Sequence, residues 1–283
     1  MRNFNPVYKK YMIIKKNKVK EIVKKTPLFA PLKLVAALIG HSSFPMPFSA
    51  TIPAEPFLDR AIARIGKNPD PARREEEFYS YFSEIWAEGY EKGLTQQYTA
   101  YLPYIPKRSD LPFLDIGCGA GEFIQFLSAN GIRTQGIDSN SKEVARAKGY
   151  GLEVNQADAL VYLQDHLACF SGISMLEVIE HLPPESLASL LSSIFKSLAP
   201  GGVVLLETIN IKHPLAFHSF YSDPTHTRPV PSDLLAFLLQ WQGFAGVQVI
   251  YTTPLAFTQQ QANDPSRAYF SYAVLGSKPT VSI

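Results

Sequence analysis

The chain has 283 residues, 46% of them hydrophobic and 18% charged, with a formal net charge of +2. That length holds one domain of ordinary size plus an extension, and the balance is the one expected of a soluble globular protein. Two cysteines make no disulfide framework, which suits a reducing compartment. No apolar run approaches the ~18 residues of a membrane span.

The charge is unevenly placed. Residues 1–25 hold nine Lys/Arg against one Glu, +8 of the total +2, which leaves −6 for the rest. Such an arm can meet anionic lipid or nucleic acid, or be a solvated tail. Leu34 to Gly40 is apolar but short, a buried or membrane-surface segment. Across residues 26–71 the prolines Pro27, Pro31, Pro45, Pro47, Pro53 and Pro56 prevent a long helix and predict an extension that meanders. Residues 72–108 are expected to form a helical cap. There Phe78, Tyr81, Phe82, Ile85 and Trp86 make an aromatic stripe that Tyr98, Tyr101, Leu102 and Ile105 continue. The cap either packs over the core or lends aromatic contacts as a lid. Pro103 and Pro106 close it.

From Leu111 the pattern alternates. Strands are predicted over 112–116, 132–138, 152–156, 171–176 and 203–207, and helices over 121–130, 140–149, 158–166 and 184–198. Gly201-Gly202 is expected to stop the last helix. Val247, Val249 and Tyr251 mark a further strand and 269–275 another, which suggests a hairpin. Such alternation requires a parallel sheet with helices on both faces, an α/β doubly wound core over 109–283.

The chain is organised around PFLDIGCGAGEF, residues 112–123. A short apolar run ends in Gly117, Gly119 and Gly121, and a helical pattern follows at once. Glycines let the backbone approach a ligand closely, and the helix N-terminus beyond offers unpaired N–H groups to an anionic group. About twenty residues on, a second apolar run ends in Asp138, where an open α/β sheet places the acid that pairs with ribose hydroxyls. A NAD-type pattern would need its third glycine at position 123, which is Phe123; this argues against a dehydrogenase. Cys118 reads as a small residue filling the corner.

Five ordered motifs carry a resemblance: LDIGCGAGEF, GIDSN at 136–140, QADAL at 156–160, EVIEHLP at 177–183 and LAPGG at 198–202. Together they resemble a class I S-adenosylmethionine-dependent methyltransferase from about residue 110 to the C-terminus. The resemblance implies a mostly parallel seven-stranded, Rossmann-like sheet with an antiparallel last strand. It implies S-adenosylmethionine as cofactor, lined by Gly117, Cys118, Gly119 and Gly121, with Asp115 fixing the turn or meeting the cofactor's amine. Asp138 and Ser139 would lie at the ribose, Asp158 and Ala159 near the adenine, and Glu177 at the end of the fourth strand. Asp158 is equally read as a helix N-cap.

Methyl transfer from a sulfonium to a hydroxyl needs an aligned acceptor and a group to take the proton. Glu177, Glu180 and His181 fall within one helical turn if the chain coils there. The connection 208–232 adds His213, His218, Asp223, His226 and Arg228, too polar and histidine-rich for filler. Its Ser-Asp-Pro-Thr-His-x-Arg-Pro string is similar to that of bacterial methyltransferases of surface-glycan (O-antigen type) biosynthesis. The sequence departs from them where an Arg-Gly pair is usual, since Glu91-Lys92-Gly93 stands there.

The expected catalytic residues are His226 as general base, His181, and Arg228 to hold a phosphate or uronate. Alternatively His226 and Arg228 lock the connection to the core. Glu177, Glu180, His181 and His226 could together ligate a divalent ion, resembling small-RNA 2′-O-methyltransferases and some quinone-biosynthesis O-methyltransferases; no metal is the expectation. The first reading is an O-methyltransferase acting on a sugar hydroxyl or phosphorylated glycan intermediate, free or lipid-linked. The alternatives are a small-molecule, phenolic or quinone-like O-methyltransferase, a metal-dependent RNA 2′-O-methyltransferase, and a module that holds the cofactor without catalysis. Nucleic acid is disfavoured because the basic arm is detached from an acidic core. The expected location is cytoplasmic, with residues 1–25 available for peripheral contact with the inner membrane face.

Overall fold

The computed structural model describes residues 91–107, 110–254 and 264–280. The basic arm, the proline-rich extension and residues 72–90 of the expected cap lie outside the described residues. Seven strands form one sheet: β1 (Phe113–Ile116), β2 (Thr134–Asp138), β3 (Val154–Gln156), β4 (Phe170–Leu176), β5 (Leu198–Ile209), β6 (Ala245–Pro254) and β7 (Tyr269–Ser277). Their order is β3-β2-β1-β4-β5-β7-β6. The first five are mutually parallel, while β7 runs antiparallel between β5 and β6. This is the expected α/β, doubly wound, mostly parallel seven-stranded sheet, and its order reverses between β1 and β4.

Helix α1 (Glu91–Tyr101) precedes the sheet, and α2 (Glu122–Ala129), α3 (Ser141–Gly149), α4 (Ala159–Gln164) and α5 (Ser186–Ser197) connect the parallel strands. Local chemistry sets their ends. Asn140 and Asp158 accept N–H bonds from Lys142 and Val161 as N-caps of α3 and α4. Gly131 at φ 75° follows α2, as Asn130-Gly131 implies.

Period-two alternation divides the core. Leu114, Ile116, Val204, Leu206, Tyr272 and Val274 point to one face, where α4, α5 and a later helix, α7 (Ser232–Trp241), pack. Phe113, Leu205, Ala273 and Leu275 point to the other, against Tyr98 and Tyr101 of α1 and Phe123 and Leu127 of α2. The described part of the cap is therefore packed onto the sheet.

Two expectations change. The fifth strand begins at Leu198, not Val203: Leu198 already pairs with Phe170, and a bulge across Ala199–Gly202 precedes the pair Val203 and Gly172. The Gly-Gly pair thus lies inside the strand, and it is strand pairing at Leu198 that ends α5. The connection after β5, for which the sequence pattern predicted no helix, is helical in part. It holds α6 (Pro214–Ser222), begun by Pro214 in the first turn and by His213, whose Nδ1 accepts the Leu215 N–H at 3.1 Å.

Tyr101 has no exposed surface and its hydroxyl lies 3.2 Å from Thr252 Oγ1. Tyr101→Ala is expected to lower stability by about 3–5 kcal/mol, as other large aromatic truncations in cores do. Urea unfolding should show a lower midpoint with an unchanged slope. A loss under about 1 kcal/mol would mean that α1 is not part of the cooperative core.

Candidate active site

A cavity of about 310 Å³ opens at the carboxyl ends of β1, β4 and β5. This is where ligands bind in open α/β sheets, beside the point at which strand order reverses. Its walls come from the glycine turn after β1, the loop after β4, the ends of β5 and β7, α6 with the loop behind it, and α1.

The glycine turn is built around Asp138. Its Oδ2 accepts the Gly119 N–H at 2.9 Å and its Oδ1 the Asn140 N–H at 2.8 Å. Gly119 lies at φ 53°, and where its Cβ would stand only Glu122 Oε2 comes as near as 4.0 Å. The left-handed backbone thus leaves an open cradle on the cavity wall that a side chain would fill. Gly117, at φ 69°, is packed so closely that a Cβ would meet Val178 Cγ2 at 2.5 Å.

Four carboxyls in or behind the cavity wall are pushed up in pKa by burial. Asp115 accepts the Ser174 hydroxyl at 2.6 Å, and burial raises its pKa to about 7. Glu177, after β4, faces the cavity and is likewise raised to about 7 by burial, with the neighbouring Glu180 and Ser271 side chains opposing. Glu180 is fully buried, and neither oxygen reaches a partner of good geometry; burial first, and then Glu177, push it well above the carboxylate range. Glu207, at the end of β5, is pushed up by burial and then by Glu177, and accepts a hydrogen bond from the Gln97 amide of α1. Glu177 at φ 53° and Thr253 at φ 56° hold left-handed backbones that such residues rarely adopt, and both line the cavity. Strain of about 1–3 kcal/mol each is the kind that collects at functional sites.

Two histidines complete the site. His226 Nδ1 lies 2.7 Å from the Phe220 carbonyl, so it carries the proton and donates. The Nε2 lone pair is then free, 3.7 Å from Asp223 Oδ2. His181 Nδ1 lies 2.9 Å from Thr225 Oγ1, and the two rings are 4.6 Å apart. Burial, and then His226, lower the pKa of His181 to about 4. Glu180, His181 and His226 each offer a ligand atom, all within 4.8 Å of one another. An unpartnered carboxyl beside two imidazoles is a donor set that fits a divalent ion. Glu177 is not in that cluster.

Of the predicted residues, Asp115, Gly117, Cys118, Gly119, Glu177, His181 and His226 line the cavity. Gly121, Asp138, Ser139, Asp158, Ala159 and Arg228 do not. Gly121 packs against Leu152, Asp138 ties the turn, and Asp158 caps α4. Ser139 and Asp158 are exposed just beyond β2 and β3, and Ala159 and Arg228 are half-buried. Sequence reasoning missed Glu207, Gln97, Thr253, Phe270 and Ser271. Alternation along β5 puts Glu207 on the α1 face with Leu205, a signal that could have found it.

The family described as "Methyltransferase domain" matches residues 85–249. Among curated relatives, the Ubiquinone biosynthesis O-methyltransferase of Psychrobacter cryohalolentis is 32% identical over 105 residues, 34% of this chain and 40% of that protein. The protein of the same name from Xylella fastidiosa is 29% identical over 163 residues, 54% of this chain and 65% of that one. The chain therefore spans about two fifths to two thirds of the length of these relatives. Among solved structures, a SAM dependent methyltransferase from Archaeoglobus fulgidus aligns with TM-score 0.61 and 25% identity, over 68% of this chain and 99% of that one.

The titrating groups predict how stability depends on pH. Asp115 and Glu177, near 7 in the fold against 3.8 and 4.5 unperturbed, bind more protons folded than unfolded between those limits. Their contribution is full at acid pH and is lost as pH rises through about 7. His181, held near 4 rather than 6.5, works oppositely and costs stability only as pH falls below 6.5. Above 6.5 only the carboxyls act, so ligand-free protein should lose stability towards about pH 8, by up to about 1.4 kcal/mol per pH unit for each group titrating. Asp115→Asn should flatten that slope in urea unfolding. A rise in stability over the same range would contradict the assignment.

Proposed function

Because the chain belongs to the methyltransferase domain family and is an S-adenosylmethionine-dependent methyltransferase, we propose that it methylates a hydroxyl of a small phenolic or quinone-like molecule. The observation that carries this reading is the match to ubiquinone-biosynthesis O-methyltransferases, joined to a histidine with a free Nε2 on the wall of a partly apolar cavity. The sugar or phosphoglycan acceptor suggested by the 222–229 string has less support. Arg228, the residue that would hold its anion, does not line the cavity, and the relatives above are named for ubiquinone.

The open cradle at Gly119 fits a close-lying ligand backbone, so the residues fit the cofactor. When bound it supplies an electrophilic methyl on a sulfonium. Gly117, Cys118 and Gly119, with Asp115, would hold its amino-acid part. Asp138 and Ser139 beyond β2, and Asp158 and Ala159 beyond β3, would hold the nucleoside along the row of strand ends leading away from the cavity. Asp138 keeps lone pairs for a ribose hydroxyl while still anchoring Gly119 and Asn140.

On the acceptor side, the proton leaves the hydroxyl for His226 Nε2. The Phe220 carbonyl fixes the tautomer that can receive it, and Asp223 stands close enough to stabilise the imidazolium that results. Phe220 also stacks on the His226 ring at 4.6 Å, which holds the ring's angle. His181 stays neutral near physiological pH and shields this pair from water. A second reading is favoured by the unpartnered Glu180: with His181 and His226 it would hold a divalent ion that acidifies the hydroxyl. A cytoplasmic setting, with residues 1–25 meeting anionic lipid, belongs to the same proposal and rests on the +8 arm.

Calorimetry and turnover separate the roles. Asp138→Ala should abolish binding of S-adenosylmethionine, because both the turn and the ribose contact are lost. His226→Ala should bind it within about threefold of the parent and lose about two orders of magnitude or more in turnover of a catechol acceptor. Full activity in His226→Ala would remove the base. Chelator treatment decides the second reading: unchanged turnover removes the ion, whereas a loss restored by magnesium or manganese establishes it.

A further inference from the structure

We infer that His213, which does not line the cavity, is a positioning residue for His226: its ring caps α6 and so holds in place the Phe220 carbonyl that fixes the His226 tautomer. This rests on the reading of His226 as the proton acceptor and deepens it.

Helix α6 is strung between two histidines. At its start the His213 Nδ1 accepts the Leu215 N–H at 3.1 Å, satisfying one of the donors that a helix leaves without a partner there. At its end Phe220 lies in the last turn, whose carbonyls find no donor within the helix, and its oxygen takes the Nδ1–H of His226 at 2.7 Å. The helix has nine residues, too few to be stable alone, and its apolar footing is small: only Ala216 and Phe220 are buried, against Ile209 and Phe270. Leu215, Phe217 and Tyr221 are exposed. A segment with so few buried contacts opens locally, and a cap shifts its closed-to-open ratio by about fivefold or more.

The backbone under the cap is firm. The His213 N–H donates to the Asn210 carbonyl at 3.0 Å, and the Asn210 amide donates to the carbonyls of Ser266 and Tyr269 at 2.8 and 2.9 Å. The condition lies in the ring. An imidazole nitrogen accepts only while it is bare; a proton on Nδ1 removes the acceptor and sets a positive charge at the positive end of the helix dipole. Burial lowers the pKa of His213 from 6.5, so the cap is present near pH 7 and is lost as pH falls through that lowered value. The titratable and charged groups around α6, among the described residues, are Lys212 before it, His218 and Tyr221 on it, Asp223 and His226 after it, Glu207 on β5, and Asp264, Arg267 and Tyr269 at the start of β7. None of them adds to burial in shifting His213. Asparagine would cap the helix as well and would not titrate.

The test uses the full chain, first without ligand. In folded His213→Ala, hydrogen exchange over residues 214–222 at pH 7.5 should be faster than in the parent by about fivefold or more, with β1 and β4 unchanged. At the same pH, NMR of protein labelled with 15N-histidine should show His226 losing its Nδ1–H tautomer, its signal being the one absent from His226→Gln. His213→Asn should restore both. Lowering the pH to 5 should expose 214–222 in the parent, after correction for intrinsic exchange rates, and not in His213→Asn. With S-adenosylmethionine and a catechol, His213→Ala should lower kcat by about fivefold or more, and His213→Asn should recover it. If the tautomer shifts and kcat does not, the base proposed above fails while the capping role stands; exchange and tautomer need no acceptor, so they decide the inference by themselves. It is overturned if His226 keeps its tautomer in folded His213→Ala, if 214–222 stays protected there, or if the parent exposes that segment no more at pH 5 than at 7.5.

Discussion

The site depends on one carboxylate that does not itself line the cavity. Asp138, at the end of β2, accepts the backbone N–H of Gly119 and of Asn140 with its two oxygens. One bond holds the turn after β1 against the neighbouring strand; the other sets the start of α3. Gly119 is thereby fixed in a left-handed backbone that leaves open space on the cavity side. The parallel pairing of β1 with β2 and β4 then lines up three strand ends, so that one pinned loop defines where a ligand can lie. The cost of burying Asp138 is offset by the two N–H donors, which compete with burial in setting its pKa.

Around that frame the protein concentrates groups that a stable core would avoid. Asp115, Glu177, Glu180 and Glu207 are all pushed towards the protonated form, mainly by burial, and Glu177 adds its field to Glu180 and Glu207. Left-handed Glu177 and Thr253 add backbone strain. These costs are carried by the two apolar layers on either face of the sheet, where Leu190, Leu191, Ile194 and Leu198 on one side and Tyr101, Phe113 and Leu127 on the other are essentially closed to water. The helix α1 joins structure to function: Tyr101 anchors it in the core, and Gln97, one turn earlier, meets Glu207 in the cavity.

Much of this was legible in the sequence because it rests on local patterns. Alternating apolar runs gave the sheet its strands, Asn140 and Asp158 marked helix starts, and the spacing of three glycines located the turn. The histidines were found because a polar stretch between buried strands is unusual. What was hidden depends on long-range placement. Glu207 reads as the tail of a strand until Gln97, 110 residues earlier, is brought against it. The start of β5 at Leu198 was hidden because Ala-Pro-Gly-Gly looks like a stop, whereas pairing with Phe170 absorbs it as a bulge. Asp138 and Asp158 were placed correctly at strand ends, yet their observed bonds are to backbone N–H groups, a use that spacing alone cannot separate from ligand binding.

The central claim is that the loop pinned by Asp138 seats the donor and directs its reactive end towards the histidine pair. A crystal structure of the protein with S-adenosylhomocysteine tests this most directly. The account predicts the amino-acid part of that ligand against Gly117–Gly119, the ribose near Asp138, and the sulfur opening into the cavity that His226 lines. A ligand seated elsewhere, or one turned so that its sulfur faces away from His181 and His226, would contradict it.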